Sequence, residues 1–265
     1  KELSDAVMWE AKKFVPLPIE DMIIDWRRLG GSKQRSRSNA VGKDDEKPET
    51  IRVLLTGASR ELVSQYLVVF KDAGLELLSL ETEAFALIRS LVGTDPSVVL
   101  ILDLGAARTS MMVVEDGTPM LSRSVDVGGN HITEAIATTL SIDQDAAEQR
   151  KLDLAVTAGS TARDALQTMI GSVFAPVVQE VRYGVNLYQS QHGNQRTVDK
   201  VILSGGSALL PSLSDYFAQE LNFRVFVGDP WARIVYPVDL RPALDAVGPH
   251  FAVATGLAMR EIRSE

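Results

Sequence analysis

The sequence contains no cysteine among its 265 residues. Disulfide bonds, zinc sites built on thiolates and a cysteine nucleophile are therefore excluded, and a reducing compartment is favoured over a secreted one, which predicts a cytoplasmic location. Positive charge is also scarce, because 27 Lys and Arg face 35 Asp and Glu and the net charge is −8. Since binding to a nucleic-acid backbone depends on an excess of basic residues, no nucleic-acid partner is expected.

Long hydrophobic runs are missing as well. One strongly apolar run, residues 98–102, stops at Asp103, whereas a membrane-spanning helix needs about 20 apolar residues. No direct membrane insertion is therefore expected. What the chain does contain is 45% hydrophobic and 23% charged residues, a composition typical of about two ordinary globular domains.

The first 78 residues predict a small α/β module. Ser4 can cap an opening helix that carries Val7, Ala11 and Phe14 on one face. A β-α-β unit completes the module. The other predicted features are strands at 22–26, 51–56 and 75–80, a helix at 59–73 and a mobile charged loop at 30–48.

The remaining sequence predicts a second domain that opens with three antiparallel strands, the last two joined by a hairpin at Asp116 and Gly117. Helical spacing of apolar residues follows, with a capping box at Ser141 and Gln144 and a kink at Pro176. The predicted elements are strands at 98–103, 109–115, 120–124, 198–203 and 223–227, helical structure over 132–191, and helices at 82–91, 213–221 and 251–262.

A turn of small residues follows the buried strand that ends in Asp103. Small side chains let backbone N–H groups close on phosphate oxygens, and the Asp103 carboxylate can hold Mg²⁺ through water. The alternative is a plain hairpin turn, because short Gly-Ala turns are common. The turn consists of Gly105, Ala106, Ala107, Arg108 and Thr109.

Two other features can contribute to the same site. Gly205 and Gly206, followed by Ser207, end a second buried strand and permit close approach of the backbone to a ring or a phosphate. Glu148 and Lys151 stand three positions apart on one helix and can act jointly on a ribose or adenine edge. The alternative for this pair is a solvated surface ion pair.

The segment Gly128-Gly129-Asn130 is a fourth candidate, and its alternative is a flexible entry into the next helix. Each feature is weak alone, but their order along the chain is much more specific. In that order they resemble the actin-like ATPase superfamily, and within it the PilM family of type IV pilus assembly proteins, which are relatives of FtsA. The resemblance covers nearly the whole chain and includes the stretches VLILDLGAARTSMMVVEDGTPMLSRSVDVGGNHITEAIA, DAAEQRK, VILSGGSALLPSLSDYFAQEL and AVATGLAMREI.

The resemblance implies a site for ATP and Mg²⁺. Ala107 stands where the superfamily often has a second glycine, so weak or absent ATP hydrolysis is expected. Glu81 and Glu83 occupy positions where related enzymes place a water-orienting polar group; the alternative is that acids simply favour a helix N-terminus. The implied contacts are Asp103 to Thr109 with the phosphates and, through water from Asp103, with Mg²⁺; Gly128, Gly129 and Asn130 near the ribose; Glu148 and Lys151 with the nucleoside; and Gly205, Gly206 and Ser207 with adenosine.

The implied fold is α/β and actin-like, which is to say ribonuclease H-like, with an inserted 1C-type α/β subdomain. The superfamily's first phosphate loop, an Asp-x-Gly turn, is not present after Lys1. The N-terminal part of subdomain 1A is therefore expected upstream in the parent protein, and the ATP site of this chain is expected to be incomplete. The implied boundaries are 1–78 for 1C, 79–96 for a connecting helix of 1A, 97–128 and 196–248 for 2A, 129–195 for the mainly helical 2B, and 249–265 for a C-terminal helix returning to 1A.

The function implied is a cytoplasmic scaffold, peripheral to the inner membrane through its partners, that binds ATP and the cytoplasmic N-terminal tail of PilN. Other pilus motor and platform proteins, and further copies of the chain, are also expected partners. Two alternatives stay open: an FtsA-like polymerising membrane tether, and a small-molecule kinase with Asp126 as its candidate general base. The expected PilN groove includes an aromatic-proline corner made of Trp9, Phe14, Pro16, Leu17 and Pro18.

Overall fold

The structure is a computed structural model that describes residues 2–15, 17–29, 51–157, 160–191 and 196–261. The chain divides into two compact units, Lys1–Leu80 and Glu81–Glu265. We call them unit 1 and unit 2. The predicted mobile loop at 30–48 and Pro16 lie outside the described residues.

The described residues of unit 1 form two α-helices and one antiparallel strand pair. Met22 lies opposite Ser59 at one end of the pair, and Arg28 lies opposite Val53 at the other. The Ser59 hydroxyl accepts the N–H of Leu62 at 3.1 Å and so caps the second helix. The elements are α1 (Glu2–Ala11), a 3₁₀ turn (Ile19–Asp21), β1 (Met22–Arg28), β2 (Val53–Ser59) and α2 (Arg60–Asp72).

Two predictions for unit 1 are wrong. Ser4 lies inside α1 rather than at its N-cap, and Phe14 lies beyond the end of the helix and is exposed. Residues 75–80 form no strand, so the described residues of unit 1 contain no β-α-β unit. A leucine-rich segment favours a strand by its composition, but a strand also needs a hydrogen-bonding neighbour. Three of the four leucines of this segment, Leu75, Leu78 and Leu80, are exposed, and Leu77 is partly buried.

Unit 2 is built on a five-stranded mixed sheet with the order β5-β4-β3-β6-β7. The first three strands form the predicted antiparallel meander, and β6 and β7 then add in parallel beside β3. Because both faces of the sheet are covered, β3 is apolar almost throughout. The strands are β3 (Val99–Leu104), β4 (Thr109–Glu115), β5 (Thr118–Val125), β6 (Lys200–Ser204) and β7 (Val225–Val227).

Helices cover the two faces of this sheet with separate cores. Leu100, Leu102 and Leu104 belong to the core under α4 to α7, whereas Val99 and Ile101 belong to the core under α3 and α8. Since side chains alternate along a strand, Asp103 belongs to the α3–α8 face. The helices are α3 (Glu83–Leu87), continued by a π-helical turn (Ile88–Val92), α4 (Gly129–Leu140), α5 (Gln144–Thr157), α6 (Ser160–Gln191), α7 (Leu213–Leu221) and α8 (Arg241–Ala258).

The predicted capping box at Ser141 and Gln144 is wrong. Ser141 adopts a left-handed conformation with φ 54° and ends α4, which is a C-cap role. The side chain that caps α5 is Asp143, whose Oδ1 accepts the N–H of Ala146 at 2.8 Å. No described helix is both long and apolar enough to cross a membrane.

The last helix also begins earlier than predicted, at Arg241 rather than at residue 251. Proline lacks the N–H of a helical turn and is rare inside helices. Pro249 nevertheless lies inside α8, and its carbonyl accepts the N–H of Gly205 at 3.1 Å. This bond ties α8 to the Gly-Gly loop that follows β6.

Candidate nucleotide-binding site

Three polar residues line up across neighbouring strands at one end of the sheet. Asp103 of β3 lies opposite Ser110 of β4 on one side and opposite Ser204 of β6 on the other. Directly opposed residues point to the same face of a sheet. We call Ser110, Asp103 and Ser204 the polar row. Sequence reasoning missed both serines, because nothing local shows which strands will pair.

The Asp103 carboxyl is poorly solvated. Burial raises its pKa, the nearby Ser204 hydroxyl opposes that change, and the negative charge of Glu83 adds to it, so that the pKa lies above the ordinary aspartate value. No Lys or Arg of the described residues forms an ion pair with it. A buried carboxyl with an acidic neighbour and no internal counter-ion favours the approach of an external cation.

The turn after Asp103 leaves backbone donors free. The Gly105 N–H donates to the Arg108 carbonyl at 3.0 Å, so it is not bonded to the aspartate. Within the described parts of the chain, the N–H groups of Ala106 and Ala107 have no hydrogen-bond partner, and both residues are exposed. Adjacent free N–H groups of this kind suit an anion such as phosphate.

The flanks of this turn are fixed by side chains. The Arg108 guanidinium forms an exposed ion pair with Asp126 at 2.9 Å, which leaves its charge at the edge of the turn. Thr109 is buried, and its hydroxyl donates to the Val127 carbonyl at 2.7 Å. Thr109 therefore serves to join β4 to the segment that precedes α4.

The N-terminus of α4 docks on the same turn. The N–H groups of Gly129 and Asn130 donate to the carbonyls of Gly105 and Ala106, at 2.9 and 2.8 Å. A Cβ on Gly128 would lie 2.5 Å from the Gly105 carbonyl oxygen, so only glycine allows this approach. The Gly128-Gly129 segment is thus a packing joint that holds the turn, rather than a flexible entry to the helix.

Glu148 and Lys151 link α5 to α4. Lys151 is only 9% exposed, and its ammonium donates to the Gly129 carbonyl at 3.2 Å and to the Thr133 hydroxyl at 2.9 Å. It also pairs with Glu148 at 2.7 Å, and Thr133 Oγ1 donates to the same carboxylate at 2.5 Å. The alternative of a solvated surface pair is therefore wrong for Lys151.

The electrostatics of Glu148 follow from these bonds. Burial by itself would raise the pKa of Glu148, but the hydrogen bonds from Lys151 and Thr133 outweigh burial and lower it. The carboxylate is therefore held as an anion while its side chain stays 45% exposed. An anionic, partly exposed acceptor is suited to the hydroxyls of a ribose.

The Gly-Gly loop after β6 lies beside the turn that follows Asp103 and the N-terminus of α4. Gly205 has φ 80°, and a Cβ there would lie 2.5 Å from the Leu104 carbonyl oxygen. The hydroxyl of Ser207 and the ammonium of Lys151 lie 2.6 and 3.6 Å from the point where a Gly129 Cβ would be. The structure thus brings Gly129, Lys151 and Ser207 together beside the turn, whereas Gly206 faces the ring of His250.

The two water-orienting candidates have different surroundings. Glu81 is nearly buried and forms an ion pair with Arg89, and its other oxygen lies 4.0 Å from Arg260 Nε. Glu83 begins α3, is exposed, and lies close enough to Asp103 to influence its pKa. Of the two, Glu83 is the one beside the polar row.

The protein has an actin-like fold, as expected, with helices covering both faces of its five-stranded sheet. The structure resembles MreB 5 of Spiroplasma citri bound to AMPPNP, with 18% identity and a TM-score of 0.57 over 77% of this chain and 65% of that one. It is more similar to a solved PilM-PilN type IV pilus biogenesis complex, with 27% identity and a TM-score of 0.78 over 99% of this chain and 73% of that one.

The chain belongs to the family of the type IV pilus assembly protein PilM, because the model of that family matches residues 1–262. This confirms the resemblance seen in the sequence. The cell division protein FtsA of Borreliella burgdorferi is 23% identical over 184 residues. That match covers 61% of this chain but 42% of FtsA, so the chain spans less than half the length of that relative.

Proposed function

We propose that the protein is an ATP-binding, actin-like scaffold of the type IV pilus assembly platform that binds the cytoplasmic N-terminal peptide of PilN. The observation that carries the proposal is the family match over residues 1–262 together with the likeness to the PilM-PilN complex over 99% of the chain. Binding to PilN would place the protein on the cytoplasmic side of the inner membrane. The division after Leu80 supports a 1C module that ends near residue 78.

The residues present fit a magnesium nucleotide. The free N–H groups of Ala106 and Ala107 would face phosphate oxygens, and Asp103 would hold the hydrated Mg²⁺ ion. Glu148 would accept from the ribose hydroxyls, and Gly206 and Ser207 would line the adenine side. The ion neutralises phosphate charge when it is bound, while the protein supplies fixed donors and acceptors.

ATP in this proposal acts chiefly as a ligand that stabilises one form of the scaffold. A ligand that binds only the folded state stabilises it by an amount that rises with the logarithm of the ligand concentration above the dissociation constant, so fast turnover is not needed. The methyl group of Ala107 narrows the phosphate turn, and we propose weak or no hydrolysis. Glu83 is the residue that we propose to orient water if hydrolysis occurs.

The surroundings of Asp126, the candidate general base of the kinase alternative, do not favour that role. The side chain of Asp126 is 82% exposed and paired with Arg108. A solvated, paired carboxylate lacks the perturbed environment of a general base. We also propose that the protein associates with further copies of itself.

We expect Mg-ATP to raise the thermal midpoint of the protein, and a carboxylate on the turn to prevent this. At an ATP concentration about ten times the dissociation constant, the stabilisation is about 1.4 kcal/mol, or about 3–5 °C for a domain of this size. Ala107→Glu should remove the shift because it places a negative charge beside the free N–H groups. The measurement is thermal unfolding with and without Mg-ATP.

The matched control is Gln167→Glu, which adds the same charge to an exposed position of α6. It should keep the full ATP shift, and both variants should unfold at the wild-type midpoint without ligand. An ATP shift that survives in Ala107→Glu would place the nucleotide elsewhere. No shift in the wild type at millimolar ATP would refute the nucleotide site.

We expect the PilN peptide to bind to the aromatic corner of unit 1. Trp9 is 64% and Phe14 is 75% exposed, and Leu17 is exposed as well, so these residues are not core. Phe14→Ala should weaken binding of a PilN tail peptide at least about tenfold, because large aromatic side chains dominate peptide interfaces. The measurement is calorimetric titration with the peptide.

Phe226→Ala is the control for this experiment, because it deletes another exposed phenylalanine ring, from β7 of unit 2. It should leave peptide affinity unchanged, and Phe14→Ala should leave the ATP shift unchanged. Equal losses in both variants, or a loss of ATP binding in Phe14→Ala, would count against a separate peptide surface in unit 1.

A further inference from the structure

We propose that Ser204 is a positioning residue for Asp103, holding its carboxylate in the orientation that receives a hydrated divalent cation. The inference rests on the proposed nucleotide site. It concerns the member of the polar row that lies deepest in the protein. It assigns a role to the Ser204 hydroxyl, which forms no hydrogen bond with any described part of the protein.

The first support is the position of Ser204. It is the last residue of β6, directly opposite Asp103 in the parallel pairing of β3 with β6. Both side chains therefore project from the same face of the sheet. Ser110 stands opposite Asp103 in the other neighbouring strand, so that Asp103 lies between two serines in the sheet.

The second support is the state of the Ser204 hydroxyl. The residue is 0% exposed, and its Oγ has no hydrogen-bond partner within the described part of the chain. Buried polar groups are almost always paired, so such a hydroxyl calls for an explanation. It lies on the residue directly opposite Asp103 in the neighbouring strand, although it does not meet the geometry of a hydrogen bond to that carboxyl.

The two observations explain one another. A carboxylate has two oxygens, and the terminal torsion of aspartate is broad. In the cation-bound state the Ser204 hydroxyl, which has no partner among the residues that the structure describes, would donate to one of these oxygens. That bond would fix the plane of the carboxylate and leave the other oxygen for water on the cation.

The role of Ser204 is distinct from that of Ser110. Ser110 is partly exposed, so water can satisfy its hydroxyl and can replace it after substitution. Ser204 is sealed from solvent and cannot be replaced in this way. Loss of the buried Ser204 hydroxyl, rather than of the Ser110 hydroxyl, should therefore weaken binding of the cation.

The experiment compares wild type, Ser204→Ala, Ser204→Thr and Ser110→Ala at fixed ATP. The thermal midpoint is followed as Mg²⁺ is added, and again with EDTA in its place. Ser204→Ala should need about ten times more Mg²⁺ for half of the magnesium-dependent increase, a typical loss for a residue that supports a metal ligand. Ser204→Thr keeps the hydroxyl and should need the wild-type amount, as should Ser110→Ala.

The midpoint without ligand separates a positioning role from a structural one. Ser204→Ala removes an unpartnered hydroxyl, so its apo midpoint should equal or exceed that of the wild type. A lower apo midpoint with an unchanged Mg²⁺ requirement would overturn the inference while leaving the nucleotide site intact. If the wild type itself shows no ATP shift with either Mg²⁺ or EDTA, the proposed function fails, and this inference fails with it.

Discussion

Replacing Asp103 by asparagine should abolish the magnesium-dependent part of ATP stabilisation and leave the apo protein at least as stable as the wild type. Asparagine has nearly the same shape but carries no charge, so it cannot hold a hydrated cation. The wild-type carboxyl is mostly buried and beside Glu83, and these surroundings raise its pKa. Ionisation of Asp103 therefore costs free energy in the folded state, and the substitution removes that cost.

The sign of the pH dependence follows from the same shift. A carboxyl whose folded pKa is raised favours folding while it is protonated, below its unfolded value of about 4, and loses that contribution as pH rises through the folded pKa. Asp103→Asn should therefore match the wild type near pH 3 and gain stability relative to it at higher pH. Thermal unfolding at several pH values, with and without Mg-ATP, measures both effects.

Two results would contradict the role of Asp103. An intact magnesium-dependent ATP shift in the variant would end the assignment to the cation. A large loss of apo stability at neutral pH would show that the carboxylate is a structural acid of the turn. The observed Gly105 bond to the Arg108 carbonyl argues against that second role, because a structural turn acid would accept the N–H groups of its own turn.

Replacing Gly256 by alanine should destabilise unit 2 by about 3 kcal/mol or more, which corresponds to about 6–12 °C in the thermal midpoint. Gly256 lies in α8, and a Cβ there would fall on the carbonyl group of Ala86 in α3, closer than any normal contact. Ala86 is fully buried, and the Gly256 carbonyl itself accepts Arg89 Nε at 2.8 Å. Helices α3 and α8 cannot move apart to make room for the methyl group without shifting the core that both helices cover.

Gly256→Ala should also disturb the candidate nucleotide site. Helix α3 carries Glu83, and the Pro249 carbonyl of α8 accepts the N–H of Gly205 in the Gly-Gly loop. Gly171→Ala is the matched control: it also adds a methyl group inside a helix, α6, where the nearest atom is Tyr216 Cε2 at 3.7 Å. Since alanine is the better helix former, Gly171→Ala should be neutral or stabilising by up to about 1 kcal/mol. Equal midpoints for Gly256→Ala and wild type would show that the α3–α8 contact is looser than described.

Some elements could be predicted because their signals are local. The meander of β3 to β5 follows from apolar strands and the Asp116-Gly117 turn, and its second strand was predicted with the bounds that the structure has. The helix after Ser59 follows from its cap and from Gly74, which ends it with φ 68°. The errors lie where two local signals compete or where a pattern lacks a partner, as at Ser141 and at residues 75–80.

The candidate site was predicted in part for the same reason. Asp103, the turn and the glycine pairs are visible as strand ends followed by small residues. The burial of Lys151 and its bonds to α4 were not visible, since a Glu-Lys pair three apart on a helix is usually a surface feature. The difference between a solvated and a buried pair depends on which helix packs against it.

The sequence by itself determined the class of fold, the family and the residues that end each buried strand, because periodicity, turn chemistry and motif order are properties of neighbouring positions. Only the tertiary structure decided that β6 pairs with β3, so that Ser204 lies opposite Asp103, and that α4 donates two N–H groups to carbonyls of the turn after Asp103. These contacts join segments far apart in the chain. Their geometry depends on strand order and helix packing, and no local pattern of residues specifies either one.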